Sequence, residues 1–510
     1  MDCSVLILQL LLHMASGATT PGLKVALTSE GSNHVLRTEI PILEKRLSMM
    51  HLPGVAGAFY VPLVGKMQYT LHNTVLRKVK ILQPSVLFER RAASVLLYNS
   101  SCEISAEWSY RRVGIHVIPL FDRGSCNATA ANASLGLSVL VKVDSGGHPA
   151  MYASGCRCDV GELNLSFHSY AHEKERVLYE LLLTVMRNHL GKIVCRQLCE
   201  TAQTSVNEIG VTFLGSIPSV ATLDNVSEIN YAILKAPSFR PTYVESFHKG
   251  EILSIKTPVE APITPPPTPA LFNASRMLYI WLTDYIFNSG GFVYHTSGVL
   301  QYTITPDMIP PGFPIKLNTL YFRHLFPQFY NKYPEMGIVL ELNTTKPPLV
   351  CIIPTSANIT IYSAVNVNAI GYNGSRVLAF VLGMKTMVDL KPALRSQGSR
   401  HFIYADLENF ETQLSLLYNT IGEFNMKAVQ QFINFAIDTT IFPEASSYFN
   451  RGIPLPVPSA MMFIGPQMTL GEGYFVIATD FKYKPTTTRR RHKSGIDAKL
   501  ELFPSLLTHL

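Results

Sequence analysis

Apolar residues recur along this chain with two periods. Short runs such as Ser94 to Tyr98, Gly114 to Leu120 and Leu135 to Val143 have the alternation and β-branched content of strands. They give way to a long stretch in which Val177, Leu178, Leu181, Leu182, Val185, Met186, Leu190, Ile193 and Val194 fall at helical spacing, opposite Glu173, Lys174, Glu180, Arg187 and Lys192. A helix striped in this way must bury its apolar face against something. From Thr257 to Pro269 the sequence reads TPVEAPITPPPTP, whose prolines favour an extended, weakly hydrogen-bonded linker. After it the order repeats: strand-like runs lead to a second predicted helix over Met426 to Ile437, with Val429, Phe432, Ile433 and Ala436 on one side. Residues 231–247 and 461–481 each place an apolar run before a proline and an alternating strand after it. The pattern predicts two similarly built, β-rich halves whose sheets curl around their long helices.

Composition supports that picture. A chain of 510 residues exceeds one ordinary core, and 47% hydrophobic against 15% charged residues excludes intrinsic disorder. The net charge of +7 is mild, and Arg489, Arg490, Arg491 and Lys493 concentrate part of it in a segment without apolar periodicity. No dense basic stripe points to nucleic acid.

The compartment is also written in the chain. Val5 to Leu12 is a short apolar stretch followed by Ala15, Ser16, Gly17 and Ala18, which reads as a signal peptide despite Asp2 and the lack of a base. Nine glycosylation sequons, at Asn99, Asn127, Asn132, Asn164, Asn225, Asn273, Asn343, Asn358 and Asn373, fit an exported glycoprotein. No other stretch has the roughly 18 unbroken apolar residues of a membrane-spanning helix.

Cysteine usage agrees with oxidising export. Cys3 lies in the signal peptide. In a strand, Cys156 and Cys158 would share a face about 6.6 Å apart, and Cys195 and Cys199 would share a helix face at a similar spacing. Two disulfides between the pairs are expected; a zinc site of the same four, with His168 and His172 to spare, is the competing reading. Cys102 and Cys126 are symmetric about residue 114 and are expected to tie the arms of a hairpin whose tip lies near Tyr110, Arg111, Arg112 and Gly114. Cys351, in the apolar run Leu349 to Ile353, reads as a buried free thiol. No G-x-S-x-G, H-E-x-x-H, Walker or Rossmann fingerprint is present, so no catalytic residue, metal site or cofactor is expected.

The stretch after the linker, MLYIWLTDYIFNSGGFVYHTSGVLQYTITPDMIP at 277–310, resembles the opening of the C-terminal domain in the bactericidal/permeability-increasing, lipopolysaccharide-binding and cholesteryl ester transfer family. PGLKVALTSEG at 21–31 resembles the mature N-terminus of that family, GIPLPVPSAMMF at 452–463 its late C-terminal domain, and the Cys156/Cys158 to Cys195/Cys199 separation its N-domain disulfide. The resemblance implies an α+β, β-rich fold: an elongated boomerang of two similar half-barrel domains, each with a long amphipathic helix, joined by a central antiparallel sheet. The corresponding division is a signal peptide at 1–18, an N-terminal lipid-binding domain at 19–250, a proline-rich linker at 251–270, a C-terminal lipid-binding domain at 271–484 and a basic tail at 485–510.

The resemblance also implies an activity: a secreted, non-enzymatic lipid binder that takes phospholipid, and lipopolysaccharide or other envelope lipid, from membrane or lipoprotein surfaces into two apolar pockets. Leu178, Leu182, Val185 and Met186 are the pocket candidates of the first half, and Val429, Phe432, Ile433 and Ala436 those of the second. Family members that bind endotoxin are implied to carry a strongly cationic N-domain tip, whereas the matching hairpin here, Glu107-Trp108-Ser109-Tyr110-Arg111-Arg112, keeps only two arginines. Lys45, Arg46, Arg111 and Arg112 are the anionic-headgroup candidates, since guanidinium groups suit bidentate phosphate contacts. Transport of the organism's own lipids is the alternative, and a lipid hydrolase a more remote one.

Overall fold

The structure is a computed structural model and describes residues 20–48, 50–61, 65–114, 120–169, 190–204, 206–207, 219–271, 274–309, 316–371, 373–398, 400–454 and 461–484. The first half comprises β1 (Leu23–Thr28), α1 (Ser29–Leu47), β2 (His51–Leu52), β3 (Val55–Val61), β4 (Gly65–Phe88), β5 (Ala93–Arg112), β6 (Phe121–Val143), β7 (Pro149–Asp159), β8 (Glu162–Ser169), a helix α2 described over 190–204, β9 (Val220–Thr222), β10 (Ser227–Asn230), β11 (Ile233–Arg240), β12 (Tyr243–His248) and β13 (Glu251–Ser254). The second comprises β14 (Leu278–Thr283), α3 (Asp284–Thr296), β15 (Gln301–Ile304), α4 (Pro327–Lys332), β16 (Ile338–Thr344), β17 (Leu349–Ile353), β18 (Ser356–Ile370), β19 (Arg376–Gln397), β20 (Arg400–Asn419), α5 (Met426–Ala436), α6 (Phe442–Arg451), β21 (Ile453–Pro454), β22 (Met461–Gly471) and β23 (Tyr474–Tyr483). The expected β-rich architecture of two halves is present.

The halves meet in one antiparallel sheet of order β11-β12-β1-β14-β23-β22, which reads the same from either end once the halves are exchanged. Leu23 stands opposite Leu282 and Leu27 opposite Leu278. Beyond that ladder the bonds repeat about the same axis: the Thr28 N–H donates to the Met277 carbonyl at 3.0 Å and the Thr283 N–H to the Gly22 carbonyl at 3.1 Å. The similar segments 231–247 and 461–481 are the β11–β12 and β22–β23 hairpins at the two ends of this sheet. Outside it, β2-β4-β5-β6-β7, with β3 and β8 attached, forms the wall of the first half, and β15-β16-β18-β19-β20-β21, with β17 attached, the wall of the second.

The proline-rich segment is extended, as its composition predicts, but it is also pinned. Buried Lys24 donates to the Pro269 carbonyl, pairs with Glu245 at 3.4 Å and lies 4.0 Å over the Trp281 ring. The Ala261 N–H donates to fully buried Glu251 at 2.9 Å, and Lys249 bridges Glu251 and Glu260. Such buried charges need these partners, so the strap and the sheet beneath it hold each other in place.

Of the run Gly114 to Leu120, read as a strand, residues 115–119 lie outside the described residues; its described ends are a left-handed Gly114 and a Leu120 whose carbonyl accepts from the Arg112 N–H. The helix beginning at Met426 does not stop at Ile437: a π-helical turn over Ile437–Ile441 passes the chain into α6. Pro443 lacks the N–H an α-helical turn would use, and the wider turn immediately before it accommodates that loss.

Candidate functional site

Each half encloses an apolar interior under a helix. Along β4, β5 and β6, alternation turns Met67, Tyr69, Leu71, Ile104, Ala106, Trp108, Tyr110, Cys126 and Ala128 inward. Leu190 and Val194, one helical turn apart on α2, close onto them, while Lys192 and Arg196 stay exposed. The pocket candidates Leu178, Leu182, Val185 and Met186 lie outside the described residues. Nearer the central sheet α1 takes over, burying Ile40 against Ile81 and Leu97.

Two disulfides fix α2 to β7. Cys156 bonds Cys199 and Cys158 bonds Cys195, with Cα separations of 5.7 and 5.3 Å. The nested order means that helix and strand run antiparallel, which settles the pairing and replaces the zinc alternative. Among the described residues no group of three His, Cys, Asp or Glu is arranged for a metal ion.

The Cys102–Cys126 bridge is corrected. Both cysteines are free thiols: Cys102 faces Ala130 and Cys126 faces Ala106, four residues apart along the same ladder. The hairpin is centred on residue 116, where Arg111 faces Phe121, and not on 114. Burial pushes the Cys102 thiol up to about 11 and Cys126 up to about 12, which leaves both protonated and inert. Cys351 is corrected in the other direction: it is half-buried and disulfide-bonded, to a partner outside the described residues.

In the second half Val429 is 2% exposed and packs among Phe322, Phe326, Phe329 and Phe380. Phe432 meets Phe322 edge-on at 5.5 Å, and Ile433 and Ala436 are half-buried. Asn425 caps α5 through the Lys427 and Ala428 N–H groups, and Gln430 accepts from the Leu414 N–H and donates to the Thr412 carbonyl, which fixes the helix on β20. Closer to the central sheet lies a second apolar cluster around Leu390, Phe463, Phe475 and Phe481. Val25, Leu27 and Val35 of the first half enter it. Phe287, Val350, Ile359, Met461 and Met468 line it only half-buried, so among the described residues part of the apolar surface there stays uncovered.

Of the four basic candidates, Lys45 and Arg46 share one place, whereas Arg111 and Arg112 alternate to opposite faces of β5, Arg111 exposed and Arg112 half-buried. Lys45 and Arg46 are exposed at the last turn of α1, where they also complement the helix dipole. Ser48 accepts from the Val79 N–H, near the middle of β4, whereas Arg111 donates to Gln68 at 3.1 Å, near its start, so the two places are well separated, up to about 36 Å along the strand. Around Lys45 the other bases are already engaged: Lys78 with Glu103, Lys80 with Glu44 and Arg77 with Ser105. Around Arg111 the company is mixed: exposed Lys66 and Arg123 share its outward face with Tyr60 and Phe121, which are 73% and 72% exposed.

Two serine–histidine pairs have no signature in the sequence. Ser246 lies 2.9 Å from His248 Nε2 with Nδ1 on the Tyr231 carbonyl, and Ser396 lies 2.8 Å from His401 Nδ1 with Nε2 on the Phe463 carbonyl. In each the ring joins a strand to a neighbouring backbone segment. An open groove of about 750 Å³ between residues 141–147 and 230–236 lies outside both helix-covered interiors.

The N-terminal domain description of the LBP / BPI / CETP family matches residues 36–209, and its C-terminal domain description matches residues 221–483. Mouse lipopolysaccharide-binding protein is 26% identical over 474 residues, which is 92% of this chain and 95% of that protein. The bactericidal permeability-increasing protein of Sebastes schlegelii is 25% identical across 91% of this chain and 95% of its own. A crystal structure of lipopolysaccharide binding protein superposes with a TM-score of 0.59 at 23% identity, covering 92% of this chain and all of that one. With both domain descriptions matched in order, the second of them spanning the proline strap, the chain belongs to the LBP/BPI/CETP family.

Proposed function

We propose that this protein is a secreted, cofactor-free lipid binder that buries phospholipid-like amphiphiles in the apolar interiors of its two halves, and that it binds lipopolysaccharide or other envelope lipid in innate defence. The observation that carries the proposal is the half-buried apolar lining of the second half, in a fold whose relatives are named for lipopolysaccharide. Burial supplies the affinity: each methylene withdrawn from water contributes about 0.8 kcal/mol, with no bond made or broken. Contact with a membrane or lipoprotein surface precedes uptake, and the mild positive charge makes that contact sensitive to salt.

One observation favours a second reading, carriage of the organism's own lipids. The N-domain tip mixes the exposed rings of Tyr60 and Phe121 with Lys66, Arg111 and Arg123, so its outward face is not purely cationic. The experiment is mass spectrometry of lipid extracted from protein secreted by cultured cells, followed by displacement with lipopolysaccharide. Retained phospholipid displaced by lipopolysaccharide supports the first reading, and retained lipid that is not displaced supports the second. Protein that emerges without lipid and takes up none overturns both. Steady turnover of phospholipid or ester, abolished by one Ser or His substitution, would show an enzyme.

A further inference from the structure

The nine sequons look alike in sequence, but the fold separates them. β6 alternates buried Cys126, Ala128 and Ala130 with exposed Asn127 and Thr129, and β8 alternates exposed Glu162 and Asn164 with buried Leu163. Asn127 stands opposite Ser166 and Thr129 opposite Asn164, so the two asparagines are diagonal neighbours on the outward face of one sheet. Asn99 and Asn132 are exposed at the bulges of adjacent strands, with φ of 50° and 53°. Asparagine tolerates that left-handed conformation, which accounts for the residue type at those two positions. It does not account for Ser101 and Ser134, which complete the sequons, nor for Asn127 and Asn164, whose backbones are ordinary strand, where asparagine is disfavoured. Among the described residues none of the four side-chain amides makes a hydrogen bond.

Asn358 is the opposite case. It is half-buried in β18 between β17 and β19; its amide donates to Asp389 at 2.6 Å while its oxygen faces the Ser356 hydroxyl. Asp389 in turn accepts from Asn409 of β20, so the amide is one rung of a three-strand polar ladder.

We propose that the outward face of the β4-β5-β6-β8 sheet is an N-glycosylated surface, carrying glycans at Asn99, Asn127, Asn132 and Asn164 while Asn358 stays bare, and that this face is turned away from any lipid surface the protein meets. The inference rests on the proposed secretion. A hydrated oligosaccharide on each of two diagonal neighbours keeps a bilayer from approaching the sheet between them. The Asn164 glycan also covers β8, which among the described residues pairs only with β6, and so blocks pairing with another chain at that edge.

Full-length protein secreted from cultured animal cells is digested with peptide-N-glycosidase F in heavy-oxygen water, which leaves an isotopically marked aspartate at each formerly glycosylated site. Marked residues 99, 127, 132 and 164 with unmarked 358 are expected. Glycans at Asn225 or Asn373 with bare Asn127 and Asn164 would overturn the proposal and leave secretion standing. Protein retained inside the cell and bare throughout removes the secretion premise and the proposal with it. In a second arm, glycosylated and deglycosylated protein are sedimented with phosphatidylcholine/phosphatidylserine vesicles. Equal binding is expected, and a several-fold gain after deglycosylation would show that this face contacts lipid, against the proposed orientation.

Discussion

The starts of the two halves are near copies that diverge at one position each. Thr28 and Thr283 end the central strands β1 and β14, and both hydroxyls donate across the axis, to Met277 at 3.1 Å and to Gly22 at 2.8 Å. The next N–H groups, of Ser29 and Asp284, both donate to a turn of the terminal hairpin, at Thr242 and Gly473. Yet Ser29 is a neutral residue and Asp284 an acid drawn into the protein, where burial pushes its carboxyl up to about 7 against backbone N–H bonds from Ile352 and Tyr285. The far ends of the halves diverge further: α2 is held by two disulfides, whereas α5 is held by a cap, a glutamine and a cluster of phenylalanines. One topology therefore tolerates two ways of fixing a helix over an apolar interior, and the two ways fail under different conditions.

The largest expected difference comes from the aromatic side. Phe326 contacts Phe380 and Phe424, each at 5.1 Å, so Phe326→Ala should cost about 3–5 kcal/mol. Hydrogen exchange should then accelerate in α5 and not in α2; equal acceleration in both would mean the halves unfold as one body. Replacing the four cysteines of the α2–β7 bridges with serine should do the reverse, loosening α2 by about 3–4 kcal/mol for loops that span 43 and 37 residues. Removing either bridge alone should cost less, because the survivor still closes the long loop.

How much of this was readable beforehand depended on whether local spacing decided the outcome. Val429, Phe432 and Ile433 lie at helical spacing, and the set of four cysteines lies at matched strand and helix spacing, so α5 and the partnered segments were legible. The Cys102–Cys126 reading failed because the hairpin turns two residues later than the symmetry of the cysteines assumes, and with the register unbroken from Cys102 to the tip this sets the two four residues apart along the ladder. α3 passed unread because Ser289, Gly290 and Gly291 lower helix propensity. Their smallness is a tertiary requirement: a side chain at Gly290 would meet Ile252 at 3.1 Å, one at Gly291 the Pro348 carbonyl at 2.7 Å, and Ser289 accepts from the Ile252 N–H. Of the site, the apolar helical faces were visible in sequence. The entry of Val25 and Val35 into the other half's interior was not, because it depends on where β1 joins the central sheet.

Asp284 offers a third test, of intermediate size. An acid held near 7 when folded and at 3.8 otherwise binds its proton more tightly in the native state, so its contribution to stability is lost as pH rises from about 4 to about 7. The full gap corresponds to about 4 kcal/mol, and screening of a partly exposed carboxyl reduces this to about 2 kcal/mol. Asp284→Ser, which copies the first half, should raise the melting temperature at pH 8 and leave it unchanged at pH 4. A gain of the same size at both pH values would assign the effect to packing and not to charge.

The finest distinction concerns the two threonines. Thr28 accepts from the Gly31 N–H at 3.2 Å as well as donating to Met277, so it caps α1 and ties the halves together. Thr283 makes only the tie, because the Asp284 carboxylate already accepts the Tyr285 N–H in the first turn of α3. Valine preserves the shape of either side chain and removes its hydrogen bonds. Thr28→Val should therefore cost about 1–2 kcal/mol, and Thr283→Val about 1 kcal/mol or less. Both sites are nearly inaccessible, at 2% and 0% exposure, so a difference in hydration does not blur the comparison. Exchange of the first-turn amides of α1 and α3 reads the two effects separately. If Thr283→Val loosens α3 as much as Thr28→Val loosens α1, the acid has not taken over the cap, and its burial needs another cause.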